Sequence, residues 1–106
     1  MATGRLGNIA VGAAVNATAY TVPSGFYTVC NVTLVNRNAA AVRIRVAMAS
    51  SATPNAQEWL EYDTIVVPGG VFERTGLVLN AGLNIVVYSD AANVGCTVYG
   101  IETSTT

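Results

Sequence analysis

The sequence predicts an all-β protein, an antiparallel β-sandwich of about eight strands with a jelly-roll or an immunoglobulin-like order. Segments with alternating apolar and polar residues recur at intervals of about ten residues, and turn-forming residues separate them. No segment has a convincing helical pattern, because Ala39-Ala40-Ala41 is too short and lies between β-branched residues. We expect one domain over residues 1–106, and the strand order stays open between the two arrangements.

The first half of the chain contains four predicted strands. They span residues 5–11, 15–22, 26–35 and 42–49, with turns at Gly12, at Pro23-Ser24-Gly25 and at Asn36-Arg37-Asn38. In the third, Cys30, Val32 and Leu34 share one face. The fourth alternates most regularly, which predicts a half-buried antiparallel strand with Ile44 in the core and Arg43 on the opposite face.

The second half contains four more predicted strands. They span residues 57–63, 71–79, 83–89 and 94–102, after a polar loop over 50–56 and before a polar tail over 103–106. Ile65-Val66-Val67 leads from the fifth strand into a tight turn at Pro68-Gly69-Gly70. Alternation places Leu60 and Tyr62 on one face of the fifth strand and Cys96 and Val98 inside the eighth. In the sixth strand, alternation puts five residues on one face: Val71, Glu73, Thr75, Leu77 and Leu79.

The chain contains neither histidine nor lysine, and this limits its chemistry. A Ser–His–Asp or Cys–His arrangement and a Schiff-base amine are excluded, and no nucleotide-binding or metal-ligand motif is present. We therefore predict no enzymatic activity and no cofactor. A net charge of −1 argues against nucleic acid as a partner.

The expected compartment follows from the opening residues and the hydropathy pattern. The start resembles no signal peptide, and no apolar run is long enough for a membrane helix, so we expect synthesis in a cytoplasm and no membrane partner. In a cytoplasm the thiols of Cys30 and Cys96 should stay reduced; an inter-sheet disulfide is the alternative.

Glu58, Glu61 and Asp63 form the one acidic cluster of the sequence. Strand alternation predicts that Glu61 and Asp63 lie on one face, about 7 Å apart, with Glu58 opposite. We interpret the two as partners of strand arginines. A calcium site and a glycosidase carboxylate pair are the alternatives.

Low charge combined with arginine suggests contacts with other chains. Only 10% of the residues are charged, and all five cations are arginines, which form forked pairs with carboxylates. We expect Arg43, Arg45, Arg74 or the single tryptophan, Trp59, at or near an interface, since arginine and tryptophan are common interface anchors. Trp59 either lies on the outer face or is turned inward by a bulge.

A series of turn and strand motifs resembles the small β-sandwich virion proteins of tailed bacteriophages. The motifs are Ala19-Tyr20-Thr21-Val22-Pro23-Ser24-Gly25, Asn31-Val32-Thr33-Leu34-Val35-Asn36-Arg37, Val42-Arg43-Ile44-Arg45-Val46-Ala47, Ser51-Ala52-Thr53-Pro54, Leu60-Glu61-Tyr62-Asp63, Pro68-Gly69-Gly70-Val71-Phe72-Glu73-Arg74-Thr75-Gly76 and Val86-Val87-Tyr88-Ser89. The resemblance implies a non-enzymatic virion component that assembles in the host cytoplasm, and we expect a capsid decoration (cement) protein. It would bind other virion proteins, the major capsid protein above all, as a homo-oligomer, expected to be a trimer.

Other functions remain open at the level of the sequence. Within the virion, a tail, neck or fibre component is the alternative. A carbohydrate-binding module would use exposed aromatic residues, for which Tyr27, Trp59, Tyr88 and Tyr99 are available. A hydrolase would have to rely on Glu61 and Asp63.

Overall fold

The computed structural model describes residues 3–105, which form eight β-strands and one short 3₁₀ turn. The strands are β1 Thr3–Val11, β2 Val15–Thr21, β3 Phe26–Asn36, β4 Val42–Ala49, β5 Trp59–Val66, β6 Val71–Leu79, β7 Asn84–Ser89 and β8 Val94–Ser104, and the turn η1 is Ala56–Glu58. All eight predicted strands are present, with ends that differ from the prediction by up to three residues. β1 begins two residues earlier than predicted, and β5 continues to Val66. Gln57 and Glu58 belong to η1, and β8 continues into the predicted tail. No helix among residues 3–105 is long and apolar enough to cross a membrane.

The strands form two four-stranded antiparallel sheets, which confirms the predicted β-sandwich. Sheet A has the order β1-β8-β3-β6 and sheet B the order β2-β7-β4-β5. Four of the strand pairs are nested, first with last: β1 with β8, β2 with β7, β3 with β6 and β4 with β5. This is the strand order of a jelly roll. The immunoglobulin-like alternative is wrong, because it would place the first, second, fifth and fourth strands in one sheet.

The core lies between the sheets and is built largely from β-branched side chains. Its largest fully buried members are Leu34, Ile44, Leu79, Ile85, Val11, Val22, Val32, Val42, Val46, Val87 and Val94. The predicted burial of Ile44, Cys96 and Val98 is confirmed, since each is fully buried. Valine suits strand positions that face the core, because its branched Cβ packs well on a pleated surface.

The two cysteines are free and buried, as predicted for reduced thiols. They lie on neighbouring strands of sheet A, but Cys30 pairs with Gly100 while Cys96 pairs with Leu34. A four-residue offset corresponds to about 13 Å along a strand. That separation is too long for a disulfide.

β-Bulges change the side-chain direction in the edge strands β5 of sheet B and β6 of sheet A. Cys30 and Val32 of β3 pair with Leu77 and Arg74 of β6, so β6 has one extra residue between these two pairs. Gly76, within this bulge, has a φ of 71°. The prediction of one common face in β6 is therefore wrong: Leu77 and Leu79 are buried, whereas Val71, Glu73 and Thr75 are exposed. β5 contains two register shifts against β4, and these determine the geometry of the candidate site.

Candidate functional site

An aromatic–arginine cluster covers part of the outer face of sheet B. The cluster consists of Arg45, Trp59, Tyr62, Asp63 and Tyr88. The central carbon of the Arg45 guanidinium lies 4.0 Å from the ring centroid of Tyr62, 4.3 Å from that of Tyr88 and 6.0 Å from that of Trp59. Arg45 and Tyr88 are direct cross-strand neighbours on β4 and β7. The guanidinium therefore holds rings from two strands in fixed positions through cation–π contacts.

The charge of Arg45 is balanced within the cluster. Its Nε donates a 2.7 Å hydrogen bond to Oδ1 of Asp63. This bond lowers the pKa of Asp63 and raises that of Arg45, so both groups stay ionised over a wide pH range. Asp63 adopts a φ of 56°, which is uncommon for a residue with a side chain, and it lies in the bulged part of β5.

Trp59 lies on the outer face, which decides between the two orientations left open by the sequence. It pairs with Ala47 across the sheet and packs on the small buried cluster of Ala47, Ala49 and Val86. Its ring meets that of Tyr62 edge-to-face, with centroids 5.7 Å apart and planes at 74°. This is a favoured geometry for two aromatic rings.

A cleft of about 410 Å³ opens beside these two rings, lined by Ala56, Trp59 and Tyr62. Ala56 belongs to η1, which is held by a capping box. The backbone N–H of Asn55 donates to Glu58 Oε1 at 2.8 Å, and the N–H of Ser50 donates to Glu58 Oε2 at 3.1 Å. These bonds lower the pKa of Glu58. The carboxylate of Glu58 thus fixes the wall of the cleft.

Glu61 points away from this cluster, towards sheet A. Its Oε2 accepts a 2.5 Å hydrogen bond from Nη1 of Arg74 on β6, and its Oε1 accepts one from Thr64 at 3.0 Å. The predicted pairing of Glu61 and Asp63 with strand arginines is confirmed. Their predicted common face is wrong, because the bulges of β5 send Glu61 towards Arg74 and Asp63 towards Arg45. Within residues 3–105, no group of three potential metal ligands was found.

The four residues predicted for an interface occupy two regions. Arg45 and Trp59 belong to the aromatic–arginine cluster, and Arg43 lies two residues before Arg45 on the same face of β4, beside Ile65. Arg74 lies on β6, an edge strand of sheet A, and its ion pair with Glu61 on β5 connects the two sheets. Sequence reasoning missed Tyr62, which alternation had placed with the core residue Leu60. Tyr62 is instead 57% exposed.

A second surface, the apolar row, crosses the outer face of sheet A. Val29 on β3 lies directly opposite Val78 on β6 and Ile101 on β8. The three side chains are 44%, 61% and 51% exposed, and Tyr27, two residues before Val29, is 40% exposed. The sequence could not reveal this row, because its members are brought together by strand pairing over long chain separations.

The tyrosines considered for sugar binding divide between the two outer faces. Tyr88 lies with Trp59 on sheet B. Tyr99, on sheet A, donates a hydrogen bond to Glu73, which raises the pKa of Tyr99. Tyr27 is also on sheet A, where it pairs with Thr103. The four aromatic residues named from the sequence therefore do not form one platform.

Comparison with known proteins found no protein-family model that matches the chain, and no curated protein or solved structure with significant similarity to it.

Proposed function

We propose that this chain is a non-enzymatic structural protein of a bacteriophage virion and that it decorates the capsid as a homo-oligomer, expected to be a trimer. The observation that supports docking on a partner is the apolar row. Extended apolar patches on a protein surface often mark a site of contact with another protein. Three aliphatic side chains, each about half exposed, lie side by side on the three adjacent strands β8, β3 and β6 of sheet A.

Burial of the apolar row would supply a driving force for docking. Covering the remaining area of Val29, Val78 and Ile101 would contribute on the order of 1 kcal/mol for each side chain. No charged residue belongs to the row. The row of a second copy, or an apolar surface of another protein, can therefore cover these three side chains without burying any charge that belongs to the row. This suits both a second copy of the chain and a capsid protein as occupant.

Arginines at the other surfaces support the same proposal. Arg43 is exposed and makes no ion pair with any of residues 3–105. Its guanidinium is therefore available to a carboxylate of a neighbouring chain, for which arginine offers a forked donor. The edge strands β1, β2, β5 and β6 are further places where a neighbour can pair.

The lack of enzymatic activity is part of the proposal. The chain has no histidine, and the carboxylates Glu61 and Asp63 are each bound to an arginine. A carboxylate held in this way is poorly suited to act as a general acid. We place the protein in the virion, assembled in the host cytoplasm, with the major capsid protein as partner. A tail, neck or fibre position is the alternative.

The test compares two valines on the same strand. Val78 belongs to the apolar row, whereas Val71, equally exposed at 61%, lies near the other end of β6. By light scattering on the purified protein, we expect an oligomer for the wild type and for Val71→Asp, and dissociation for Val78→Asp. A monomeric wild type that also fails to bind phage capsids would overturn the proposal. Hundreds of copies in a purified particle would favour decoration, and a dozen or fewer would favour neck or tail.

A further inference from the structure

The cleft beside Trp59 and Tyr62 has an aromatic lining that suits the apolar face of a small ligand. Two aromatic rings and a methyl group line it, and its volume of about 410 Å³ lies in the range of small-molecule clefts. It lies on sheet B, on the opposite face of the sandwich from the apolar row. Its occupant can therefore differ from the partner that docks on sheet A.

The walls of the cleft are fixed before any ligand arrives. Trp59 packs on Ala47 and Val86, Tyr62 stacks against the Arg45 guanidinium, and the capping box holds the turn that contains Ala56. A rigid site loses little conformational entropy when it binds.

The nearest polar side chains that the ring contacts give are those of Arg45 and its partner Asp63. The Arg45 guanidinium covers one face of the Tyr62 ring, 4.0 Å from its centroid, and lies 6.0 Å from the centroid of Trp59. The Arg45–Asp63 pair uses Nε and Oδ1, which leaves the terminal nitrogens of Arg45 as donors and Oδ2 of Asp63 as an acceptor. The two side chains are 23% and 36% exposed, so solvent and solutes reach them. Because the charges compensate each other, the pair offers hydrogen bonds without selecting for a charged ligand.

We infer that this cleft binds one pyranose ring of a neutral glycan. The ring would lay its apolar C–H face on Trp59 or Tyr62, while its hydroxyls accept from Arg45 and donate to Asp63. Glu58 does not take part, since backbone amides already occupy both of its oxygens. With so few contacts, the affinity for a single sugar should be weak, with a Kd of about 1 mM.

The single tryptophan gives a direct measurement at this site. Trp59 fluorescence is titrated with the methyl glycosides of glucose, galactose, mannose and N-acetylglucosamine, and with a neutral oligosaccharide of each. We expect at least one of these sugars to change the emission with a saturable curve. Tyr62→Ala and Asp63→Asn should weaken that binding by about tenfold or more. The matched control is Tyr27→Ala on sheet A, which should leave it unchanged.

The outcomes separate this inference from the proposed function. If no sugar of the panel changes the fluorescence, or if Tyr62→Ala leaves the affinity unchanged, the glycan site is refuted, whatever the protein does on a particle. If the sugars are silent and Tyr62→Ala abolishes particle binding, the cleft is a protein contact, and the proposed function stands without the glycan site. Sugar binding by a chain that never associates with a capsid would support the inference and refute the virion role.

Discussion

The phenolic oxygen of Tyr20 on β2 lies 2.5 Å from Oε2 of Glu102 on β8, so a hydrogen bond crosses the core from sheet B to sheet A. The hydroxyl of Thr28 on β3 lies 2.8 Å from the same phenolic oxygen. All three residues are buried. A buried polar group is costly without a partner, so these bonds tie the two sheets to one register at this end of the sandwich.

The first prediction concerns the hydroxyl of Tyr20. Tyr20→Phe keeps the ring in the core but removes the donor to Glu102 and the partner of Thr28. We expect a loss of about 1–3 kcal/mol in the free energy of unfolding, because buried polar groups lose a hydrogen bond. Urea denaturation measures it. The control is Tyr99→Phe, whose hydroxyl bonds to Glu73 at the surface and should matter less. Equal losses in both variants would contradict the role assigned to the buried bond.

The second prediction concerns stability at alkaline pH. Burial raises the thiol pKa of Cys30 from 9.0 to about 11 and that of Cys96 from 9.0 to about 12. Burial and the Glu102 bond raise the pKa of Tyr20 from 10.0 to about 12. Between pH 9 and these values the unfolded chain loses protons that the folded chain keeps. The free energy of unfolding should therefore change little between neutral pH and about pH 9 and fall above it.

Denaturation at pH 7, 9 and 10.5 tests this dependence. Replacing both cysteines with alanine should lower the stability at pH 7 but make the alkaline decline shallower, because two of the titrating groups are gone. A decline of unchanged slope in the double variant would show that other groups cause it.

The third prediction contrasts two neighbouring residues of β4. Ile44 is fully buried, whereas Arg43 is exposed on the outer face. Ile44→Ala should cost about 2–5 kcal/mol in the free energy of unfolding, through lost burial and a cavity. Arg43→Ala should cost less than about 0.5 kcal/mol in the isolated chain. Chemical denaturation of the two variants measures both values, and a large loss for Arg43→Ala would mean that its side chain supports the fold.

The alternation of apolar and polar residues was sufficient to predict the strands, but it did not predict which side chains meet on the outer faces of the sheets. β4 alternates without interruption from Val42 to Val46, so the burial of Ile44 could be read from the sequence. In β5 the same rule failed, because bulges depend on how the strand pairs with its neighbour. Tyr62 and Asp63 consequently joined a cluster that alternation did not predict.

The apolar row was hidden for a related reason. Val29, Val78 and Ile101 each occupy an outward position of a different strand, and a single exposed valine carries no signal. Only the pairing of β3 with both β6 and β8 turns them into one surface. Strand order is a tertiary property, so both the jelly roll and this row had to come from the structure.

The last prediction concerns close backbone packing in β8. A Cβ built at Gly100 would lie 2.1 Å from the carbonyl oxygen of Val29 and 2.7 Å from Cα of Cys30, so β3 leaves no room for a side chain there. A Cβ built at Gly95, on the same strand, would have no atom within 4 Å. Gly100→Ala should force β8 and β3 apart and cost about 1–3 kcal/mol or more in the free energy of unfolding.

Gly95→Ala is the matched control and should be nearly neutral, because alanine there meets no atom and restricts only the unfolded chain. Thermal and urea denaturation of the two variants give the comparison. Since Gly100 lies next to Ile101 of the apolar row, a shift of β8 would also disturb that surface. Gly100→Ala should therefore weaken self-association, while Gly95→Ala keeps it. If both alanine variants are as stable and as oligomeric as the wild type, the close approach of β3 and β8 at Gly100 does not constrain this fold.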